Sequence, residues 1–101
     1  MAKEAKVDVI IPSYNARYLL EKNLPFLVKN TESLGKLIII DNGSEDDTVT
    51  WLREHYPQTI IIKNMTNLGY TVPVNQGIAR SASEFFILIN NDVRPYKGYD
   101  S

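Results

Sequence analysis

The sequence predicts an α/β fold, a parallel four-stranded sheet with helices packed on both of its faces. Three observations predict it. Four short runs of β-branched and other apolar residues recur along the 101 residues. Segments with apolar residues at helical spacing separate them. The apolar runs lack polar alternation, as strands do when crossover helices bury them on both faces.

The first strand is Val7-Asp8-Val9-Ile10-Ile11, stopped by Pro12. Residues 17–29 place Leu20, Leu24 and Leu27 at i, i+4 and i+7, one face of a helix. Pro25 inside that pattern predicts a kink or a restart, and Gly35 ends the segment. The second strand runs from Lys36 to Ile40 and closes on Asp41-Asn42-Gly43, a strong turn signal. Ser44 then reads as an N-cap, with Glu45, Asp46 and Asp47 in the first helical turn. Val49, Leu52 and Tyr56 supply the buried stripe of this second helix, and Pro57 terminates it. Ile60 to Ile62 form the third strand and Asn64 to Gly69 a loop. Thr71 caps a third helix with Pro73 in its first turn and Val74, Ile78 and Ala82 as its apolar stripe. The fourth strand, Phe85 to Ile89, ends in Asn90-Asn91-Asp92. Beyond Pro95 the chain turns polar and contains glycine.

Composition narrows the function classes. The length fits one domain or one incomplete domain, able to bury roughly 65% of its unfolded surface. With no cysteine, a disulfide scaffold, a thiolate zinc site and a cysteine nucleophile are excluded. His55 is the single histidine, which excludes multi-histidine metal sites; its place near the end of the second helix fits a cap rather than catalysis. Trp51 reads as a partly exposed packing residue. The net charge of −1 gives no footprint for nucleic acid or an anionic membrane. No apolar run approaches the ~18 residues of a spanning helix. The start, Met1 to Lys6, lacks the apolar stretch of a signal peptide. The expectation is a cytoplasmic domain with no membrane association indicated.

The element string is β-α-β-α-β-α-β, a Rossmann-like order. Right-handed crossovers put the loops that follow the strands on one rim, where open α/β sheets bind ligands. The polar residues collect there. Three functions of such sheets fail on particular residues. A dinucleotide fold needs glycines in the first turn, which here is Pro12-Ser13-Tyr14-Asn15. A P-loop needs a Gly-Lys-Ser/Thr ending, and none exists. A phosphoacceptor receiver needs acids after the first strand and an aspartate after the third; the chain has Pro12 and Lys63-Asn64 there.

Five motifs follow one another in order: V-D-V-I-I-P-S-Y-N (7–15), I-I-I-D-N-G-S (38–44) with Asp47-Thr48, N-L-G-Y (67–70), N-Q-G (75–77) and I-N-N-D-V (89–93). Together they resemble the N-terminal half of family 2 glycosyltransferases of the GT-A type, over residues 7 to about 95. The resemblance implies a partial GT-A fold. It also implies inverting transfer from a nucleoside-diphosphate sugar donor with a divalent metal, Mg or Mn, on the diphosphate. Polysaccharide or cell-surface glycan assembly is the family-level expectation; the glycan acceptor is not specified.

The resemblance assigns roles residue by residue. Asp41 faces the base, which fits a carboxylate that only accepts hydrogen bonds. Uracil and thymine offer N3–H, and guanine offers N1–H and N2–H; all three bases are compatible, the first two favoured. The alternative for Asp41 is acceptance from turn amides. Pro12, Ser13, Tyr14 and Asn15 resemble the first nucleotide-contact turn, with Tyr14 flanking the base or, alternatively, packing half-buried. Asn42 and Gly43 belong to the second contact turn. Asn67 and Gly69 match an N-x-G element in which Gly69 supplies a positive φ or a close backbone approach. Asn75 follows on the third helix. Arg80 lies beyond it, facing the diphosphate or solvent.

Asn90, Asn91 and Asp92 align with the Asp-x-Asp element. Asn90 replaces the first acid, so Asp92 is left as the single carboxylate for the metal, with diphosphate oxygens and water to complete it. The catalytic general base of relatives lies in the later, acceptor-binding half, so no catalytic residue is assigned. The chain is expected to bind nucleotide without turning over sugar by itself. A second reading is a non-catalytic nucleotide-binding module or a fragment, forming a homodimer through the uncovered sheet edge after the fourth strand. Nucleotidylyl transfer, which wants a glycine- and arginine-rich first loop, fits poorly with Ser13 to Arg17.

Overall fold

The structure is a computed structural model that describes residues 6–100. The start of the chain, read above as lacking a signal peptide's apolar stretch, lies largely outside the described residues. The elements are β1 (Val7–Ser13), α1 (Arg17–Asn30), β2 (Leu34–Asn42), α2 (Thr48–His55), β3 (Ile60–Asn64), α3 (Thr71–Arg80) and β4 (Phe85–Leu88). The four strands form one parallel sheet in the order β3-β2-β1-β4, so the predicted α/β architecture with a parallel sheet is the observed one. From β1 the chain winds outward through β2 to β3, then returns across the sheet to β4. The carboxyl ends of β1 and β4 therefore flank the switch point at which such sheets bind ligands.

The two faces are packed differently. On one, Val9, Ile11, Leu37 and Ile39 meet Leu20, Leu24 and Leu27 of α1 and Trp51 and Leu52 of α2. On the other, Ile10, Ile38 and Ile40 pack with the partly buried Ile60 and Ile62, and α3 lies over them. Gly77 explains how close α3 comes: a Cβ there would sit 2.4 Å from Ile10 Cγ2 and 3.0 Å from Ile40 Cδ1. The stripe expected of α3 is accordingly wrong. Pro73 and Gly77 face the sheet, Val74 is half-buried and Ile78 is exposed.

Other local expectations are corrected as well. Helix α1 continues through Pro25, whose ring lies on its exposed face. A helix-interior proline costs about 3 kcal/mol. Burial of the flanking Leu24 and Leu27, worth ~1.5–3 kcal/mol each, offsets that. Helix α2 begins at Thr48, not after Ser44, and carries no acid in its first turn. The polar residues before it are used in loop contacts: Asp46 accepts from the Thr48 N–H and hydroxyl and from the Arg17 N–H. Those bonds hold the Asp46 carboxyl below its ordinary pKa against the opposing effect of burial. Helix α3 starts at Thr71 with Tyr70 in the cap position and no side-chain cap. Trp51 is buried, stacked on His55 with ring centroids 5.3 Å apart, while the Arg17 guanidinium lies 5.5 Å from its ring centroid. His55 Nδ1 is 3.1 Å from the Trp51 carbonyl oxygen, a contact at the helix end in keeping with a capping role.

The polar segment after β4 is ordered against the C-terminal end of α1. The Asn30 amide donates to the Pro95 carbonyl at 2.9 Å, Tyr99 OH meets Thr31 Oγ1 at 2.5 Å, and Asp100 accepts from the Glu32 and Ser33 N–H groups. Among the described residues, strand β4 pairs only with β1. Phe85, Phe86 and Leu88 are exposed on it, 54%, 45% and 37% respectively. Among the described residues no helix is long and apolar enough to cross a membrane.

At the amino end of the sheet, Asp8 is fully buried and joins three segments. Its carboxylate accepts from the Lys36 N–H, from the Ser81 and Ser83 hydroxyls, and from the Ala82 and Ser83 N–H groups. Burial raises the pKa, but the Ser83 hydroxyl and the other donors outweigh it and hold the group at about 2, against 3.8 for a free aspartate. The unfolded chain thus binds this proton more readily, so folding gains on the order of 2 kcal/mol above pH 4. That gain disappears as pH falls from about 4 to about 2. Urea unfolding of wild type and Asp8→Asn is expected to differ most at neutral pH and to converge near pH 2. A difference independent of pH would contradict the assignment.

Candidate functional site

The carboxyl rim is organised by the last residues of β2. Asn42 is buried, and its side-chain amide uses its donors and acceptor within the fold. Nδ2 donates to Asn67 Oδ1 and to the Gly69 carbonyl, both at 2.8 Å. Oδ1 accepts the Leu68 N–H at 2.9 Å and Asn64 Nδ2 at 3.3 Å. Asn67 Oδ1 also receives the Gly69 N–H at 2.9 Å. Asn64 and Gln76 exchange two amide hydrogen bonds, 2.8 and 2.9 Å, which tie the end of β3 to α3. The loop from 64 to 69 is thereby held from both ends.

Two glycines make this loop possible. Gly43 has a φ of +84°, and a Cβ there would sit 2.6 Å from the Thr66 carbonyl carbon. Gly69 has a φ of +83° with open space around it, so its requirement is the positive φ and not close packing. A second set of contacts joins the first two turns. Asn15, itself at φ +47°, donates its N–H to Ser44 Oγ at 2.8 Å and accepts the Glu45 N–H on Oδ1 at 2.7 Å. The third set spans the switch point. Asn91 Nδ2 donates to Ser13 Oγ at 3.2 Å, and the Asn91 carbonyl accepts from the buried Asn23 amide at 3.0 Å.

Within this frame a cleft of about 330 Å³ opens at the rim. Pro12, Ser13 and Tyr14 line it from the end of β1, and Asn42, Asn67, Gly69 and Tyr70 from the other side. Tyr14 and Tyr70 are exposed, 44% and 56%, so two aromatic side chains stand at the cleft. Among the sequence candidates, Asn15, Gly43 and Asn91 sit in the turns that brace the cleft. Asn75 is exposed on α3, and Asn90 and Asp92 are exposed in the turn after β4.

Asp41 lies at the same rim, in register with Ser13 of β1 and Lys63 of β3. Its side chain is fully buried. Oδ2 accepts the Ser44 N–H at 3.3 Å and is 3.7 Å from the Lys63 ammonium, whose side chain is 53% exposed. Oδ1 is buried and has no hydrogen-bond partner among the described residues. A carboxylate oxygen left without a donor costs free energy; Arg17 Nε, at the start of α1, is the other buried side-chain atom without a hydrogen-bond partner among the described residues, and it is a donor where Asp41 Oδ1 is an acceptor.

Hard oxygen donors for a cation are present but sparse. Asp92 supplies one carboxylate and Asn90 an amide oxygen, and the described residues contain no cluster of three or more His, Cys, Asp or Glu groups that could hold a metal ion. That donor set fits Mg²⁺ or Mn²⁺ only where a ligand's phosphate oxygens and water complete the shell.

Sequence reasoning assigned no role to Lys63, Asn64, Gln76 or Asn23. Asn23 carried a visible signal, a polar residue inside the Leu20–Leu24–Leu27 stripe. Gln76 beside the sheet-facing Gly77 carried another. Lys63 had none, because its partner Asp41 lies on the neighbouring strand, beyond α2 in the sequence.

Comparison with known proteins identifies the family and the fold. The family model of Glycosyl transferase family 2 matches residues 8–100. The glycosyltransferase YibD of Escherichia coli K12 is 30% identical over 94 residues, which cover 90% of this chain and 27% of that protein. An N-acetylglucosaminyl-diphospho-decaprenol L-rhamnosyltransferase of Mycobacterium tuberculosis is 32% identical over 74 residues, 73% of this chain and 24% of that one. The chain therefore spans under a third of the length of these relatives. Among solved structures, the mannosyltransferase PcManGT of Pyrobaculum calidifontis, in complex with GDP-Man and Mn²⁺, superposes with a TM-score of 0.77 at 20% identity. It covers 91% of this chain, which spans 29% of PcManGT. Staphylococcus aureus TarS (residues 1–349) superposes with a TM-score of 0.79 at 22% identity, with the same coverage of each chain. These neighbours are GT-A glycosyltransferases, and the fold is theirs. With the family match running from the first strand to the turns beyond the fourth, the chain belongs to glycosyl transferase family 2.

Proposed function

We propose that the rim binds the nucleoside-diphosphate sugar donor of an inverting glycosyl transfer, together with a divalent cation on the diphosphate. The observation that carries this reading is Asp41: a fully buried carboxylate at the carboxyl rim with one oxygen lacking a donor. A nucleobase N–H is a donor of the right kind. Tyr14, exposed at the adjoining cleft, offers a ring face to flank the base, and the Ser13 turn offers polar contacts. Family membership and the GDP-Man complex of PcManGT support the same reading.

Asn90 and Asp92 would hold the cation. When bound, it would offset the negative charge that develops on the departing diphosphate. The chain's own residues bind and orient the donor: Asp41 fixes the base, and the loop held by Asn42 and Gly69 forms the cleft wall. Activation of an acceptor hydroxyl needs a general base. We assign that role to a part of the catalytic domain outside the described residues.

Calorimetric titration of nucleoside diphosphates with Mn²⁺ tests the site. A charge-assisted hydrogen bond is worth about 1.5–3 kcal/mol, so Asp41→Ala is expected to weaken binding by at least about tenfold. Asp92→Ala is expected to abolish the increment that Mn²⁺ adds to affinity. Unchanged affinity in both variants would overturn the site.

A second reading is favoured by one observation, the exposed phenylalanines on the unpaired edge of β4. It makes the chain a module that self-associates edge to edge, since such edges template strand pairing. Sedimentation velocity over a hundredfold range of concentration is then expected to show a monomer–dimer equilibrium. Phe86→Lys should shift it towards monomer. A monomer at every concentration would exclude this reading.

A further inference from the structure

We infer that Asn23, a buried carboxamide on α1, is the positioning residue of the turn that carries Asn90 and Asp92. The inference rests on the reading of those two residues as the cation's ligands, and it names the residue that holds them in place.

The turn lies beyond the end of β4, the last strand, so no sheet ladder holds it. Its own closing bond, from the Val93 N–H to the Asn90 carbonyl, is 3.2 Å long. Two side-chain bonds reach it from the body of the fold. Asn91 Nδ2 donates to the buried Ser13 hydroxyl at 3.2 Å, and Asn23 Nδ2 donates to the Asn91 carbonyl at 3.0 Å. The second bond grips the backbone itself. Asn91 stands between Asn90 and Asp92, so a bond to its carbonyl fixes where both neighbours start. Asn90 and Asp92 are exposed, so their side chains stay available while the backbone between them is held.

Position 23 is a costly place for an amide. It is 7% exposed and borders the stripe of Leu20, Leu24 and Leu27. A buried amide loses free energy unless it is bonded, and a leucine there would only widen the apolar stripe. Packing therefore does not account for Asn23, whereas the bond to Asn91 does. Asn23 also opens a second stripe of α1, with Phe26 at i+3 and Asn30 at i+7. The Arg94 guanidinium carbon lies 4.4 Å from the Phe26 ring centroid, and the Asn30 amide donates to the Pro95 carbonyl at 2.9 Å. This face of α1 is a template for residues 91–95, and Asn23 is its contact at the Asn90–Asp92 end.

Nuclear magnetic resonance and calorimetry on the 101-residue chain test this together. Without nucleotide, backbone order parameters at Asn91, Asp92 and Val93 are expected near the ~0.85 of rigid backbone, and Asn23→Leu is expected to drop them below ~0.6. Ile89, whose N–H bonds the Ile10 carbonyl, should stay rigid in both. In titrations with uridine and guanosine diphosphates, Asn23→Leu should cut the affinity that Mn²⁺ adds by about tenfold or more. Affinity in EDTA should be unchanged, a split that a merely structural role would not produce. Asn23→Ala serves as the second variant. Thr31→Val, which frees Tyr99 from the same helix, is expected to lower stability without moving either readout. Mobile amides at 91–93 in wild type would overturn the positioning role whatever the variants do. So would unchanged order parameters or an unchanged Mn²⁺ increment in a folded Asn23 variant, or an equal loss in Thr31→Val. Rigid amides at 91–93 in a wild-type chain that gains nothing from Mn²⁺ would instead overturn the cation reading, and the proposal with it.

Discussion

The rim of this sheet depends on one side chain, the carboxamide of Asn42. A parallel strand ending at a ligand-binding rim leaves the following loops without ladder partners. Asn42 supplies two donors and a doubly used acceptor to the loop after β3, and it does so while buried. Asn42 is the buried end of these bonds, and Asn67, Leu68 and Gly69 at the other end are exposed, so the loop is anchored from within. An apolar residue at this position would leave the Leu68 N–H and the Gly69 carbonyl without these partners. The positive-φ glycines 43 and 69 follow from the same arrangement, because the chain must turn sharply on each side of the bonds that Asn42 makes.

That constraint divides labour among the polar rim residues. Asn15, Asn42, Asn64, Gln76 and Asn91 have their amides committed to other parts of the fold. They set positions. Asp41 is different, because one of its oxygens is uncommitted. The alternation along β2 explains the contrast. Asn42 follows Ile40 towards the α3 side, where the loop needs holding, and Asp41 follows Ile39 towards the side of α1 and α2. Consecutive residues of one strand thus differ: Asn42 is committed to the scaffold, and Asp41 keeps one oxygen open for the donor proposed above.

The architecture was legible in the sequence because strands buried on both faces need uninterrupted apolar runs, and Val7–Ile11, Ile38–Ile40 and Ile60–Ile62 are such runs. Helix details were less legible. The stripe of α3 was misread because Gly77 carries no apolar signal, although it is the contact that lets α3 lie against Ile10 and Ile40. The start of α2 was misread because Ser44 and Asp46 are good caps locally, while long-range bonds to Asn15 and Arg17 use them differently. The residues that line the cleft all belong to motifs singled out by their order along the chain, although Tyr70 was given no role there. Which polar residues brace the rim was not legible, since that depends on hydrogen bonds between loops far apart in sequence, which spacing does not encode.

Amide hydrogen exchange in the loop from 64 to 69 tests the central claim most directly, comparing Asn42→Ala with Asp41→Ala. The account predicts that Asn42→Ala speeds exchange at Leu68 and Gly69 by at least about tenfold, in line with the ~1–3 kcal/mol attached to a lost buried partner. It predicts that Asp41→Ala leaves those amides protected. Equal protection of Leu68 and Gly69 in wild type and Asn42→Ala would contradict it.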